Sequence, residues 1–278
     1  MSSIAISLDS SRTAPELPRY TGPDYRAALA GELGLPDPLL HPDPYRPPAL
    51  YRVALALIHW LLPRLFRVRL EGLENLPRPP FILASNHQRW YDPAFLALAL
   101  PRRPMVYSMA RRETVFNRAW KRAIVPRLGV FPISPQHGEL DESGVVTVYQ
   151  ILARGGIVLI FPEGRYSRGR RLLPLRKGVA HFALQAGVPI VPVALEGVDR
   201  LRPFTRVVVS VGKPIWPDPP AWWIPSRRVL EIVDRVRRGI LRAFDRPPRQ
   251  RRRLLARLGA GVRDRLGRLT SWRGRSPS

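Results

Sequence analysis

The chain has 278 residues, 45% of them hydrophobic, enough for one sizeable domain with extensions. It has no cysteine, which excludes disulfides, thiolate catalysis and cysteine-ligated zinc; its five histidines form no dense ligand cluster, so neither a metal site nor a cofactor is expected. The formal net charge of +25 is carried almost wholly by arginine, with Lys121, Lys177 and Lys213 the lysines, and predicts attraction to polyanions: nucleic acid, an anionic membrane or an acidic carrier protein.

In chain order, MSSIAISLDS has neither a basic start nor a continuous apolar core, so no signal peptide is expected. No run of about 18 apolar residues marks a spanning helix. Residues 1–48 are weakly patterned, and Pro36, Pro38, Pro42, Pro44, Pro47 and Pro48 predict a kinked, extended arm. The next stretch, ALYRVALALIHWLL from Ala49 to Leu62, is almost wholly apolar, with Tyr51 and Trp60 near its ends and Arg64 and Arg67 after it. It reads as a helix, taken here over 49–65. Such a helix is either buried in the domain or lies in a membrane interface with arginines at headgroup depth.

FRVRL (66–70) alternates with period two and predicts a strand. FILA (81–84) is a short apolar strand, followed by a polar loop holding Asn86, His87 and Asp92. Pro93 then opens a helix, and Asp92 stands where an N-cap belongs. Met105–Met109 predicts a strand, Arg111–Val125 one basic helix, Leu128–Ile133 a strand, and Asp141–Ala153 a helix with one buried face. IVLIF (157–161) is apolar without alternation, which is the pattern of a strand covered on both faces in a parallel sheet. It runs directly into PEGRYSRG. Gly178–Ala186 predicts a helix and Val207–Val211 a strand. VPIVPVAL (188–195) predicts a strand that its two prolines push toward a sheet edge or a bulge. Strands alternating with helices give an α/β fold: a mixed, largely parallel sheet flanked by helices, with polar loops at the strand ends where such folds hold ligands.

From residue 221 the character changes. Residues 221–278 carry 17 arginines against four acidic residues, leaving +13. Val229, Ile232, Val233, Val236, Ile240 and Phe244 follow helical spacing, as do Leu255, Leu258, Val262, Leu266 and Leu269 after Pro247-Pro248. The expected division is a Pro-rich arm (1–48), a central domain (49–220) and a basic amphipathic helical tail (221–278). The second tail helix suits an anionic membrane surface.

Two loops carry chemistry. In NHQRWYD the chain can fold back so that the Asp92 carboxylate meets the His87 imidazole; a carboxylate fixing one imidazole tautomer is what a general base needs. In FPEGRYSRG, a glycine lets backbone approach a ligand, while Arg165 and Arg168 offer forked donors to a phosphate or carboxylate and Glu163 can orient an arginine or accept from a hydroxyl. A histidine and an aspartate separated by four residues, then FPEGRYS, then VPIVPVAL resemble, in that order and over residues 66–215, the glycerolipid acyltransferase family (the 1-acylglycerol-3-phosphate acyltransferases and relatives).

The resemblance implies an α/β core seated peripherally on the cytoplasmic face of a membrane. It would move a fatty acyl group from acyl-CoA or acyl carrier protein to a lipid hydroxyl. It implies that His87 is the base and Asp92 its partner, that Glu163-Gly164-Arg165 binds the acceptor, and that VPIVPVAL shapes the acyl site. The substrate-binding set expected around these is Asn86, Arg89, Glu163, Gly164, Arg165, Ser167, Arg168 and Lys177. Backbone N–H groups near the start of the Asp92 helix are expected to meet the tetrahedral oxyanion. No covalent enzyme intermediate is needed.

Two departures bear on the acceptor. In GVFPISP (129–135) serine and proline stand where the family carries an acidic residue and an arginine, and Tyr166 stands where FPEGRYS would carry its arginine. Either Arg165, Arg168 or Arg170 meets a phosphate, or the acceptor is another lipid alcohol, such as a glycolipid or a carotenoid glycoside. A third reading is a non-catalytic, basic lipid- or nucleic-acid-binding protein; no specific nucleic acid is expected, because the tail matches no recognised binding module.

Overall fold

The computed structural model describes residues 7–9, 12–13, 43–134, 142–217 and 225–245. The expected Pro-rich arm lies largely outside the described residues, as do Pro135 and everything beyond Asp245. The chain divides into two compact units, 1–245 and 246–278, and only the first contains described residues.

Two short antiparallel strands, β1 (Ser7–Asp9) and β2 (Arg12–Thr13), precede the main domain. The domain is built on seven strands: β3 (Arg67–Glu71), β4 (Phe81–Ser85), β5 (Val106–Arg111), β6 (Val130–Ile133), β7 (Ile157–Ile160), β8 (Ile190–Glu196) and β9 (Arg206–Val211), in the order β3-β9-β8-β4-β7-β5-β6. All neighbours are parallel except β8 and β9, so the sheet is mixed and largely parallel.

The helices are α1 (Ala49–Leu65), α2 (Asp92–Ala97), α3 (Arg112–Val115), α4 (Ala119–Ile124), α5 (Glu142–Ala153), α6 (Gly178–Ala186) and α7 (Ser226–Phe244). Side chains of β4 alternate between two apolar layers. Ile82 and Ala84 join α5, α6 and α7 on one face; Phe81 and Leu83 join Phe95 and Leu96 of α2 on the other. Coverage on both faces is why FILA and IVLI read as uninterrupted apolar runs.

Three elements depart from expectation. The prolines of VPIVPVAL do not place β8 at an edge: it lies inside the sheet between β9 and β4. They are tolerated because Pro189 precedes the strand and Pro192 stands just ahead of the Val193–Glu196 ladder with β9. There the ladder is irregular: Ile190 N–H donates to Ile215 O at 2.9 Å, Gly212 N–H donates to Pro192 O at 2.7 Å, and the turn between them makes no ladder.

The expected single helix over Arg111–Val125 is two short ones. Phe116 ends α3 by turning into the core, and Arg118, extended at φ −126°, restarts the chain before α4. The expected boundary after residue 220 also moves. Helix α7 buries Val229, Ile232, Val236, Ile240 and Phe244, the stripe its sequence spacing gave, and the compact unit reaches Asp245.

Helix α1 has two apolar stripes. Tyr51 and Leu55 are buried in one apolar layer, while Ile58 and Leu62 pack against the other. Leu50, Val53, Leu57 and Trp60, also at helical spacing, face outward; Val53 is 65% exposed, Leu57 53% and Trp60 54%. A helix apolar on all sides normally needs cover on all sides. Among the described residues, no helix is long and apolar enough to cross a membrane.

Candidate active site

β4 and β7 are adjacent and parallel, in register from Phe81–Ile157 to Ala84–Ile160. Their C-terminal ends therefore release the two loops side by side, NHQRWYD from β4 and FPEGRYSRG from β7. This is the edge at which parallel α/β sheets hold ligands.

His87 and Asp92 meet in the first loop. Asp92 is fully buried, and its Oδ2 accepts from His87 Nδ1–H at 2.8 Å, Gln88 N–H at 2.5 Å and Arg89 N–H at 2.9 Å. Asp92 is the first residue of α2 rather than its cap; Tyr91 takes the cap position, and the carboxylate closes the loop instead. With Nδ1 donating to a carboxylate, the imidazole is set in the tautomer that leaves Nε2 free to accept a proton. Phe161 stacks on one face of the ring at 3.8 Å between centroids, tilted by 13°, and Tyr166 stands against the ring at 4.5 Å, inclined at 63°.

The same loop is pinned on both sides. Toward β8, Asn86 Nδ2–H donates to Leu195 O at 2.9 Å and its Oδ1 accepts from Leu195 N–H at 2.8 Å, so the buried amide continues the sheet. Arg89 Nη2–H donates to Asp199 O at 2.8 Å and Tyr91 O–H to Val198 O at 2.9 Å. Toward β7, Glu163 Oε1 accepts from His87 N–H at 2.9 Å, and His87 O accepts from Ser167 N–H at 2.6 Å. Gln88 Nε2–H donates to Gly169 O.

The expected substrate-binding residues thus divide into two groups. Asn86, Glu163 and Ser167 turn inward. Glu163 is 4% exposed and also accepts from Leu173 N–H at 2.7 Å and Ser167 Oγ–H at 3.2 Å, so its oxygens hold the loop together rather than face outward. Burial raises the Glu163 pKa above the ordinary carboxylate value, against the pull of its three hydrogen bonds and of His87.

Arg165, Arg168 and Lys177 are exposed, as is Arg89, whose guanidinium is already held by Asp199. Gly164 adopts φ +68°, and a Cβ there would lie 2.5 Å from Arg176 Nε, so glycine lets the Arg176 side chain cross the loop. Arg170 points elsewhere. It pairs with Asp245 at 2.8 Å and with Glu196 at 3.5 Å, and stacks over the Phe244 ring. It ties the loop to the end of α7, which no local sequence signal announced.

Several of the expected oxyanion donors near the start of α2 are spent internally. Gln88 and Arg89 N–H go to Asp92, Asp92 N–H to Arg89 O, Ala94 N–H to Tyr91 O, and Pro93 has none. Among the described residues no cluster of three or more metal-ligating side chains occurs.

The family model described as Acyltransferase matches residues 67–196, which hold both loops. The chain is 29% identical over 161 residues to the chloroplastic 1-acyl-sn-glycerol-3-phosphate acyltransferase BAT2 of Brassica napus, covering 54% of this chain and 46% of that one. It is 27% identical over 184 residues to the human 1-acyl-sn-glycerol-3-phosphate acyltransferase alpha, covering 64% of each. It thus spans about half to two thirds of the length of these relatives. In fold it is similar to the crystal structure of the 1-acyl-sn-glycerophosphate (LPA) acyltransferase PlsC from Thermotoga maritima, with a TM-score of 0.53, 20% identity, and 72% of this chain and 80% of that one covered. The core that carries both loops, residues 67–196, thus matches the Acyltransferase family and is similar to the 1-acyl-sn-glycerol-3-phosphate acyltransferases.

Proposed function

We propose that the chain is an O-acyltransferase of the 1-acylglycerol-3-phosphate type, moving a fatty acyl group from a thioester of coenzyme A or acyl carrier protein to a lipid hydroxyl. The observation that carries this reading is the His87 Nδ1–Asp92 Oδ2 bond of 2.8 Å at the mouth of β4. An alcohol is protonated at neutral pH, so attack on a thioester needs a base at the hydroxyl. His87 Nε2 takes the proton as the oxygen attacks the carbonyl carbon. The C–S bond then breaks and the thiolate leaves, taking up the proton. Base catalysis of this kind supplies about 10²–10⁴-fold.

The test is acyl transfer by the purified chain and by His87→Ala, with acyl-CoA and acyl carrier protein as donors and a panel of lysophospholipids and lipid alcohols as acceptors. Equal background from both proteins with every acceptor would end the enzymatic reading.

A second reading has its own support. An uncharged Tyr166 ring, not a guanidinium, stands against His87, and Arg170 is held by Asp245 and Glu196. Both favour an acceptor without a phosphomonoester, such as a glycolipid, and the same panel separates the two.

We also propose that the enzyme works at a membrane surface, with the outer stripe of α1 in the lipid interface and anionic headgroups meeting its arginines. The support is the exposed row Leu50, Val53, Leu57 and Trp60, flanked by exposed Arg52, Arg64 and Arg67, on a chain of net charge +25. Replacing Val53, Leu57 and Trp60 together by serine should weaken binding to anionic vesicles by at least about tenfold, since burying each such side chain fully is worth about 1.5–3 kcal/mol. Thermal stability should change little, because these side chains touch solvent. Vesicle co-sedimentation measures the first and a thermal melt the second; unchanged sedimentation would remove α1 from the interface.

A further inference from the structure

The arrangement of the second loop over His87 bears on what is kept out of the site. Residues 164–166 form an arch whose two ends are tied to the backbone of His87 itself. On one side Glu163 Oε1 accepts from His87 N–H at 2.9 Å; on the other Ser167 N–H donates to His87 O at 2.6 Å. Ser167 Oγ–H adds a second bond to the same carbonyl at 3.1 Å. The Tyr166 backbone is therefore held in place beside the imidazole.

Tyr166 is 53% exposed, yet its ring centroid lies 4.5 Å from that of the imidazole. Phe161, from the preceding strand end, covers one face of the imidazole at 3.8 Å. The His87 side chain is only 17% exposed, although it stands on a loop beyond the end of β4. Burial and the Asp92 carboxylate both raise the Tyr166 phenol pKa, so the ring carries no charge at neutral pH.

A base that activates a lipid hydroxyl toward a thioester activates water equally well. Water attack forms a C–O bond to the acyl carbonyl, breaks the C–S bond, passes a proton through His87 to the departing thiolate, and yields a free fatty acid and a thiol. At about 55 M, water outnumbers any lipid acceptor, so an acyltransferase needs a physical barrier at its base. We propose that Tyr166 is that barrier: a specificity-determining residue whose ring screens His87 from bulk water and turns aside only for an acceptor, so that the acyl group goes to the lipid hydroxyl rather than to water. The proposal rests on the acyl-transfer reading above and adds to it the partition between two acceptors.

The test uses the full chain, acyl-CoA and whichever acceptor of the panel the wild type consumes. Total thiol release is measured alongside the ratio of free fatty acid to ester product, read by mass spectrometry. Tyr166→Ala should raise that ratio at least about tenfold, and Tyr166→Phe, which keeps the ring, should stay within about twofold of wild type. A ratio unchanged in Tyr166→Ala, whatever happens to the total rate, would overturn the proposal, as would an equal rise in Tyr166→Phe. Should the alanine variant fail to fold, Tyr166→Leu reads the same ratio. Thiol release equal in wild type and His87→Ala would instead remove the acyl-transfer reading, and this proposal with it.

Discussion

Replacing His87 by alanine should lower acyl transfer by about 10²–10⁴-fold with little change in thermal stability. The imidazole stands at the β4–β7 edge with Nε2 able to take a proton, and its loss leaves the loop's backbone bonds in place. Asp92 separates charge from orientation. In most carboxylate–imidazole pairs an Asp→Asn change lets the amide turn its NH2 toward Nδ1 and impose the wrong tautomer, at about 10⁴-fold in rate. Here Gln88 and Arg89 N–H both point at Oδ2, at 2.5 and 2.9 Å. Two backbone donors reject an NH2 at that position, so an asparagine oxygen should stay there and keep Nδ1 as donor. Asp92→Asn should then lose only the carboxylate's charge, about 10–10²-fold in kcat, whereas Asp92→Ala should approach His87→Ala. Thiol release followed with a disulfide reagent measures all three, and a chain without cysteine adds no background of its own. An asparagine variant as poor as the alanine variant would show that the backbone donors do not secure the tautomer.

How much of this was legible depended on the range of the interactions involved. The strand ends were, because burial on both faces leaves a continuous apolar run such as IVLIF, and because Pro93 marks a helix start whatever surrounds it. The His87–Asp92 pair was legible for the same reason: its members stand five residues apart in one loop. What escaped were side chains whose partners are distant backbone groups. Arg170 offered itself as a phosphate ligand, and nothing near it in sequence announced Asp245, 75 residues on. The Pro192 strand was read toward an edge or a bulge because its tolerance lies in the chain at Gly212–Ile215. The outward stripe of α1 could be read only as one of two alternatives, since composition cannot say which apolar side chains of a helix the rest of the domain will cover.

Glu163 is the clearest of these, and its removal should have the second largest effect. The sequence places it in an arginine-rich loop, where it reads as a group for the acceptor. In the structure it is a strut. One oxygen accepts from His87 N–H at 2.9 Å, 76 residues away, and the other from Leu173 N–H at 2.7 Å. Glu163→Ala should leave both part-buried N–H groups without this acceptor, at about 1 kcal/mol each. It should also lower kcat by about 10²-fold as the His87 loop drifts from its position. Glu163→Gln should rescue only in part, because its NH2 must face one of the two backbone donors.

The pH dependence has a fixed sign. Burial raises the Glu163 pKa above 4.5, so the folded state holds this proton more tightly than the unfolded state does. Its contribution is present below the ordinary carboxylate value and is lost as pH rises from there through the raised one. The difference in melting temperature between wild type and the glutamine variant should therefore shift against wild type as pH climbs through that window. A group contacting the acceptor behaves otherwise: its loss raises the acceptor KM and leaves kcat and melting temperature nearly unchanged. The two roles are thus separated by one variant and two measurements, and a KM effect alone would return Glu163 to the acceptor.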